Sequence, residues 1–259
     1  MNSIIANTIT WLTDPEHWTG ITGIPVRIGE HLQYSALVLL IAAVIAIPVG
    51  MYVGHTGKGR VVVVAVAGSL RALPTLGLLI LFVLLAGIGL MPPIWALVIL
   101  TVPPLLSGTY AGISSVDRQY VDAARAMGMT EWQILFQVEV PNAVKVMLGG
   151  FRTAVLQVIA TVSVVAYINL GGLGRYIFDG ADLNDFPRML GGSLLITLLA
   201  IAADLVLVLL QRLLTPRGLR ATTTRSGTAG NTAVTRATTT TGVTQGAAPA
   251  VAAPQGETP

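Results

Sequence analysis

The sequence predicts an all-α integral membrane protein with about five spanning helices and a short helical segment on the cytoplasmic side. Three observations predict it. Only 10% of the 259 residues are charged and 53% are hydrophobic, whereas soluble domains run at about one quarter charged. Residues 32–54, 72–116 and 153–174 contain no Asp, Glu, Lys or Arg, and one crossing needs about 20 such residues at a rise of about 1.5 Å each. Finally, one polar, helix-forming stretch, Asp117 to Pro141, interrupts the apolar runs in mid-chain.

Taken in order, residues 1–30 form an external N-terminal segment, with Trp11 and Trp18 suited to a membrane interface. Span 1 covers about Gln33–Gly54. A Gly-rich basic turn, His55–Arg60, leads to span 2 within Val61–Leu90. As one straight helix that stretch would measure about 45 Å, against a hydrocarbon core of about 30 Å. We therefore expect one crossing kinked at Pro74, with a cytoplasmic extension that carries Arg71 near the inner interface, where its stem can snorkel. Arg71 is either satisfied by loop carbonyls or functional. Met91-Pro92-Pro93 punctuates the chain. Span 3 covers about Ile94–Ile113, span 4 about Ala143–Ile168 and span 5 about Met189–Leu214, so residues 31–214 form the transmembrane domain. Asp204 is the one acid inside a span. An intramembrane carboxylate is a functional candidate by default, but its closeness to Arg212 and the inner face favours a structural pairing with a neighbouring span or with water at the cytoplasmic mouth. Residues 215–259 form a cytoplasmic tail. From 221 onward its Thr-, Ala-, Gly- and Pro-rich composition offers too little apolar surface to offset ordering, so disorder is expected.

Composition also excludes whole classes of chemistry. With no cysteine there is no disulfide framework and no thiolate site, and His17, His31 and His55 are too scattered to indicate a metal. The sequence pI near 9.5 reflects loop bias on few charges rather than a nucleic-acid footprint. The N-terminus lacks the basic n-region of a secretory signal. No Gly-rich loop ends in Gly-Lys-Ser or Gly-Lys-Thr, so ATP hydrolysis is not expected of this chain. With five spans, Lys58, Arg60, Arg118, Arg125, Lys145, Arg212, Arg217 and Arg220 fall on one side, and Arg27, Arg175 and Arg188 on the other. The positive-inside rule then puts the N-terminus outside and the C-terminus in the cytoplasm.

The 117–141 stretch carries the functional signal. Asp117 can cap a helix through Tyr120–Met127. Ala123 and Ala124 are small, and Gly128 falls four residues after Ala124 on the same helix face, where a partner could approach closely. Gly128 also suits a helix C-terminus with positive φ. Thr130-Glu-Trp-Gln133 reads as a capping box that opens a second short helix. Trp132, Ile134, Leu135 and Phe136 give that helix apolar surface, and Pro141 ends the segment before span 4. Two short helices at a glycine elbow make a rigid knob able to transmit force. The blander alternative is a helix lying on lipid.

The order Asp122-Ala123-Ala124, Gly128, Pro141 resembles the EAA motif of bacterial ABC importer permeases, with Asp where Glu is usual. Beyond the motif, the chain is similar to permeases of osmoprotectant importers of the glycine betaine, carnitine and choline type. The stretches that carry this likeness are Arg71–Gly77, Pro103–Ile113, Arg152–Ala160, Gly171–Arg175 and Thr215–Leu219. The resemblance implies a type I importer transmembrane domain in the bacterial inner (cytoplasmic) membrane, paired with a second permease copy or a paralogue. It implies that a separate ATPase dimer, carrying ATP and magnesium, docks on the loop containing Asp122, Ala123, Ala124, Gly128, Thr130, Trp132 and Pro141. An external binding protein would deliver substrate. Arg71 and Asp204 remain possible pathway or structural polar residues. The segment Gly171–Arg188 reads as an outside loop that either receives the binding protein or is simply solvated, and no aromatic cage for a quaternary ammonium is evident. Two other readings stay open, a permease for methionine or another amino acid and a secondary transporter outside the ABC class.

Overall fold

A computed structural model describes residues 2–214, and every regular element among them is helical. In chain order these are α1 (Asn2–Thr13), a 3-10 turn (Pro15–Trp18), α2 (Ile24–Thr56), α3 (Arg60–Arg71), α4 (Thr75–Ala86), α5 (Met91–Ser114), α6 (Arg118–Ala126), α7 (Glu131–Gln133), a π turn (Ile134–Glu139), α8 (Val140–Val162), a 3-10 turn (Ser163–Ile168), α9 (Gly174–Leu183) and α10 (Phe186–Leu214). Four unbroken helical stretches are long and apolar enough to cross a membrane: Ile24–Thr56, Met91–Ser114, Glu131–Ile168 and Phe186–Leu213. A fifth crossing is available if α3 and α4 count together.

Helix α5 is the hub. Of its most apolar stretch 67% is buried inside the chain, against 0% for α10, which leaves α10 open to lipid or another subunit. Small residues permit the close packing around α5. A Cβ on Gly108 would lie 2.5 Å from the Cα of Gly150, so the backbones of α5 and α8 touch there. On the other face, a Cβ on Gly50 or Gly54 of α2 would meet Thr109 at 2.8 Å or Ile113 at 2.7 Å. Pro103 and Pro104 lie inside α5. Pro104 has no N–H for the Leu100 carbonyl one turn earlier. The Gln157 side chain of α8 donates to that carbonyl instead, at 2.7 Å. The proline thus becomes a specific interhelical contact.

Several expected boundaries move. Helix α2 begins at Ile24, well before Gln33, because Pro25 suits a first turn and the early charges Arg27 and Glu30 pair at 2.9 Å. The two prolines after Met91 start α5 rather than separating it from its predecessor, since the first turn has no N–H partners to lose. The kinked span 2 is instead a true break. Pro74 sits outside both helices as the N-cap of α4, with φ −69° and ψ 121°, and α3 and α4 diverge by 92°. An extended residue at the break lets the chain turn a corner that a proline kink within one helix does not reach. The expected outside loop is also ordered. Residues 174–183 form α9, with Tyr176 and Gly180 buried and an i,i+4 pair, Arg175–Asp179, at 2.7 Å along its surface. The tail and the Thr215–Leu219 stretch lie outside the described residues.

Candidate functional site

The loop between α5 and α8 is built by local rules. The Asp117 side chain accepts the N–H of Gln119 at 2.9 Å and opens α6. Gly128 closes it with φ +82°. A Cβ there would meet nothing within 4 Å, so within the described residues the glycine serves backbone conformation. Next, the Thr130 N–H donates to Gln133 Oε1 at 2.8 Å, and the Gln133 N–H donates to Thr130 Oγ1 at 3.4 Å. This is the expected reciprocal cap.

The second helix is not a separate short one. From Glu131 the chain runs without interruption to Ile168, so Pro141 does not end the segment. The π turn explains why. The N–H of Val140 bonds the carbonyl of Leu135 rather than that of Phe136, and the wider turn leaves room for a proline ring that an α-helical ladder would reject. The Asn142 side chain donates to the Val138 carbonyl at 2.7 Å beside this turn.

The two alanines part company. Ala123 is exposed, whereas Ala124 is 2% exposed and packs with Val121 and Ile134, against Val116, Met129 and Val138. Ala124 therefore fastens α6 to its own chain, because α6 must bury one stripe to stay docked. The outward face presents Tyr120, Asp122, Ala123 and Met127, the last 74% exposed. Trp132, 72% exposed, stacks on Phe136 at 5.9 Å with the rings 8° from parallel.

A network of charges ties the loop together, and no local pattern announces it. Arg125 donates to both carboxylate oxygens of Glu131, at 2.8 and 3.0 Å, and lies 3.5 Å from Asp122. The hydrogen bonds to Glu131 push the Arg125 guanidinium above its already high ordinary pKa. His55, in the last turn of α2, puts Nδ1 2.7 Å from Glu139 Oε2 and Nε2 3.1 Å from Glu131 Oε2.

Of the two possible pathway residues, Asp204 is paired. Arg152 Nε and Nη2 reach its two oxygens at 2.5 and 2.7 Å, a bidentate bridge from α8 to α10. The favoured structural pairing with a neighbouring span is what the geometry holds. Its partner was legible as the one Arg that heads the charge-free run 153–174. Arg71 ends α3 at the break, where its Nη2 donates to Ser107 Oγ of α5 at 3.3 Å. It is thus bound to a helix of the core, not held by loop carbonyls on a cytoplasmic extension.

At the opposite end of the sequence's charge division, Arg27, Arg175 and Arg188 line one cavity of about 320 Å³ with Trp11, Tyr176 and Asp179. Arg188 donates to Asp179 at 2.9 Å and its guanidinium lies 5.9 Å over the Tyr176 ring. Trp11 packs edge-on against Tyr176 at 5.1 Å. This aromatic cluster has its cation position filled by the protein's own arginine.

Comparison with known proteins places this architecture. Residues 46–219 match the family described as binding-protein-dependent transport system inner membrane component. The glycine betaine/carnitine/choline transport system permease protein OpuCB of Bacillus subtilis is 34% identical over 194 residues, 75% of this chain and 89% of that protein. The osmoprotectant import permease protein OsmW of Salmonella typhimurium is 36% identical over 196 residues, 74% of this chain and 91% of that protein. Among solved structures, an inward-facing MetNI methionine ABC transporter chain superposes with a TM-score of 0.68 at 20% identity, covering 79% of this chain and 100% of that one. At that identity the likeness speaks for the fold alone. This chain thus belongs to the family of binding-protein-dependent transport system inner membrane components.

Proposed function

We propose that the chain is the permease subunit of an ATP-driven importer for an osmoprotectant: glycine betaine, carnitine, choline or proline betaine. What carries the substrate class is the 34% identity to the OpuCB permease across 89% of its length. What supports the mode of action is the 117–139 loop, an ordered projection whose outer face, Tyr120, Ala123, Met127 and Trp132, is left exposed. An exposed aromatic and small-residue face on a rigid support suits docking of a second protein.

In this reading a separate ATPase dimer binds ATP and magnesium and holds the loop in a groove. A second permease, identical or paralogous, completes the pathway, and an external binding protein supplies solute. The loop faces the cytoplasm and the N-terminus faces outward. The charge asymmetry supports this orientation, with Lys58, Arg60, Arg118, Arg125 and Lys145 on the loop side. Solute recognition rests with the external binding protein, which fits the occupied Tyr176 face. When the ATPase dimer closes, the loop moves as a body and tilts α5 and α8. Such coupling requires that the two ATPase states hold the loop differently.

The test is uptake of labelled betaine, carnitine, choline and methionine by proteoliposomes containing the complex purified through a tag on this chain. ATP-dependent accumulation of a quaternary ammonium, but not of methionine, is the expected result. Accumulation of methionine alone would reassign the substrate. Flux without nucleotide would remove the ATP-driven mechanism.

A further inference from the structure

We propose that His55 is a positioning residue for coupling: it locks the 117–139 loop to the end of α2, so that α2 travels with α5 and α8 when the loop is displaced. The inference rests on the reading of the loop as the ATPase contact, and it adds a third helix to the moving body.

Three segments meet at the imidazole. His55 belongs to the last turn of α2, Glu131 opens α7 and Glu139 closes the π turn. Each ring nitrogen faces one carboxylate, Nδ1 toward Glu139 and Nε2 toward Glu131. The His55 side chain is 11% exposed and that of Glu139 is 6% exposed, so the shorter contact is shielded from solvent and weakly screened. Among the described residues, His55 is the one hydrogen-bond partner of the Glu139 side chain. The Glu131 carboxylate is in turn gripped bidentately by Nε and Nη2 of Arg125 in α6. A continuous path of polar contacts therefore runs from α6 through α7 to α2.

Packing makes only part of this connection, through Met51 of α2 against the cluster that holds Leu135. Beside His55 a cleft of about 470 Å³ opens between α2 and the loop, lined by Pro48, Met51 and Tyr52 of α2 and by Trp132, Leu135 and Phe136 of the loop. The imidazole bridges the two walls. Once tied, α2 cannot lag behind, because at Gly50 and Gly54 its backbone lies close against the Thr109 and Ile113 side chains of α5. Without the tie, the loop could swing into the cleft and lose part of its stroke.

The experiment compares wild type, His55→Ala and the double variant His55→Ala/Glu139→Gln in proteoliposomes, as tag-purified complexes with their ATPase and binding protein. The double variant matters because His55→Ala alone leaves a buried carboxylate without its partner, which can impair folding. The readout is labelled betaine or choline taken up per ATP hydrolysed. We expect the double variant to keep ATPase association and hydrolysis within about twofold of wild type while uptake per ATP falls at least about tenfold. Uptake per ATP within about twofold of wild type overturns the inference and leaves the importer reading intact. A proportional fall of hydrolysis and uptake, or loss of the assembled double variant, shows a merely structural residue and overturns it too. Absence of ATP-dependent uptake in wild type overturns the importer reading and this inference with it.

Discussion

Gly128 and Ala124 separate two reasons for a small residue in a loop. Gly128 has open space where a side chain would go and a backbone only glycine or asparagine adopts cheaply. Gly128→Asn should leave thermal stability in detergent nearly unchanged, while Gly128→Val should cost about 1–2 kcal/mol from the left-handed conformation. Ala124 has the opposite constraint, an ordinary helical backbone and no room. Ala124→Leu should overpack the cluster around Ile134 and cost about 1–3 kcal/mol. Ala123→Leu, on the exposed face, should leave stability alone and weaken ATPase retention in pull-down. Equal stability losses for the two leucine variants would show that Ala123 is also buried in the assembled protein.

Between elements, the Arg152–Asp204 bridge joins α8 to an α10 that buries little of itself in the chain. Removing one charge strands the other within the membrane; removing both does not. Arg152→Leu and Asp204→Leu should each lower the amount of folded protein in membranes several-fold, and the double variant should recover most of it. Fluorescence-detected size exclusion reads this directly, and a double variant as poor as the singles would assign the pair a further role. This scale also shows what a sequence can disclose. The Asp117 cap, the Gly128 elbow and the Thr130–Gln133 box were legible because each is written within four residues. The five apolar stretches were legible from the run lengths. The 92° corner at Pro74 was not, because a proline kink and a full break have the same local sequence and packing on α5 decides between them. Nor was the His55–Glu139 contact, whose members are 84 residues apart. Pro141 misled for a related reason: a proline stops an α-helix, and the π turn that accommodates it has no sequence code of its own.

At the level of the whole molecule, the two ends of the bundle differ in kind. One end carries Trp11, Tyr176 and three arginines around a polar cavity. The other carries the loop, the His55 junction and an apolar cleft. If the loop faces the cytoplasm, a Met127→Cys variant in the chain, which has no other cysteine, should react with an impermeant maleimide in inside-out vesicles and not in intact cells. Bound ATPase should protect it, since Met127 is 74% exposed in the isolated chain. Labelling from outside the cell would invert the topology and remove the docking reading.

The π turn at Ile134–Glu139 accommodates one residue more than an α-helix would over the same rise. Its position between the loop and α8 sets the loop's azimuth about the α8 axis. If the same residues wound as a regular α-helical screw, everything on the far side would swing about 100° around the helix axis. Tyr120 and Met127 would then point along a different bearing, their chemistry unaltered, and the bundle would carry an intact handle aimed away from whatever grasps it.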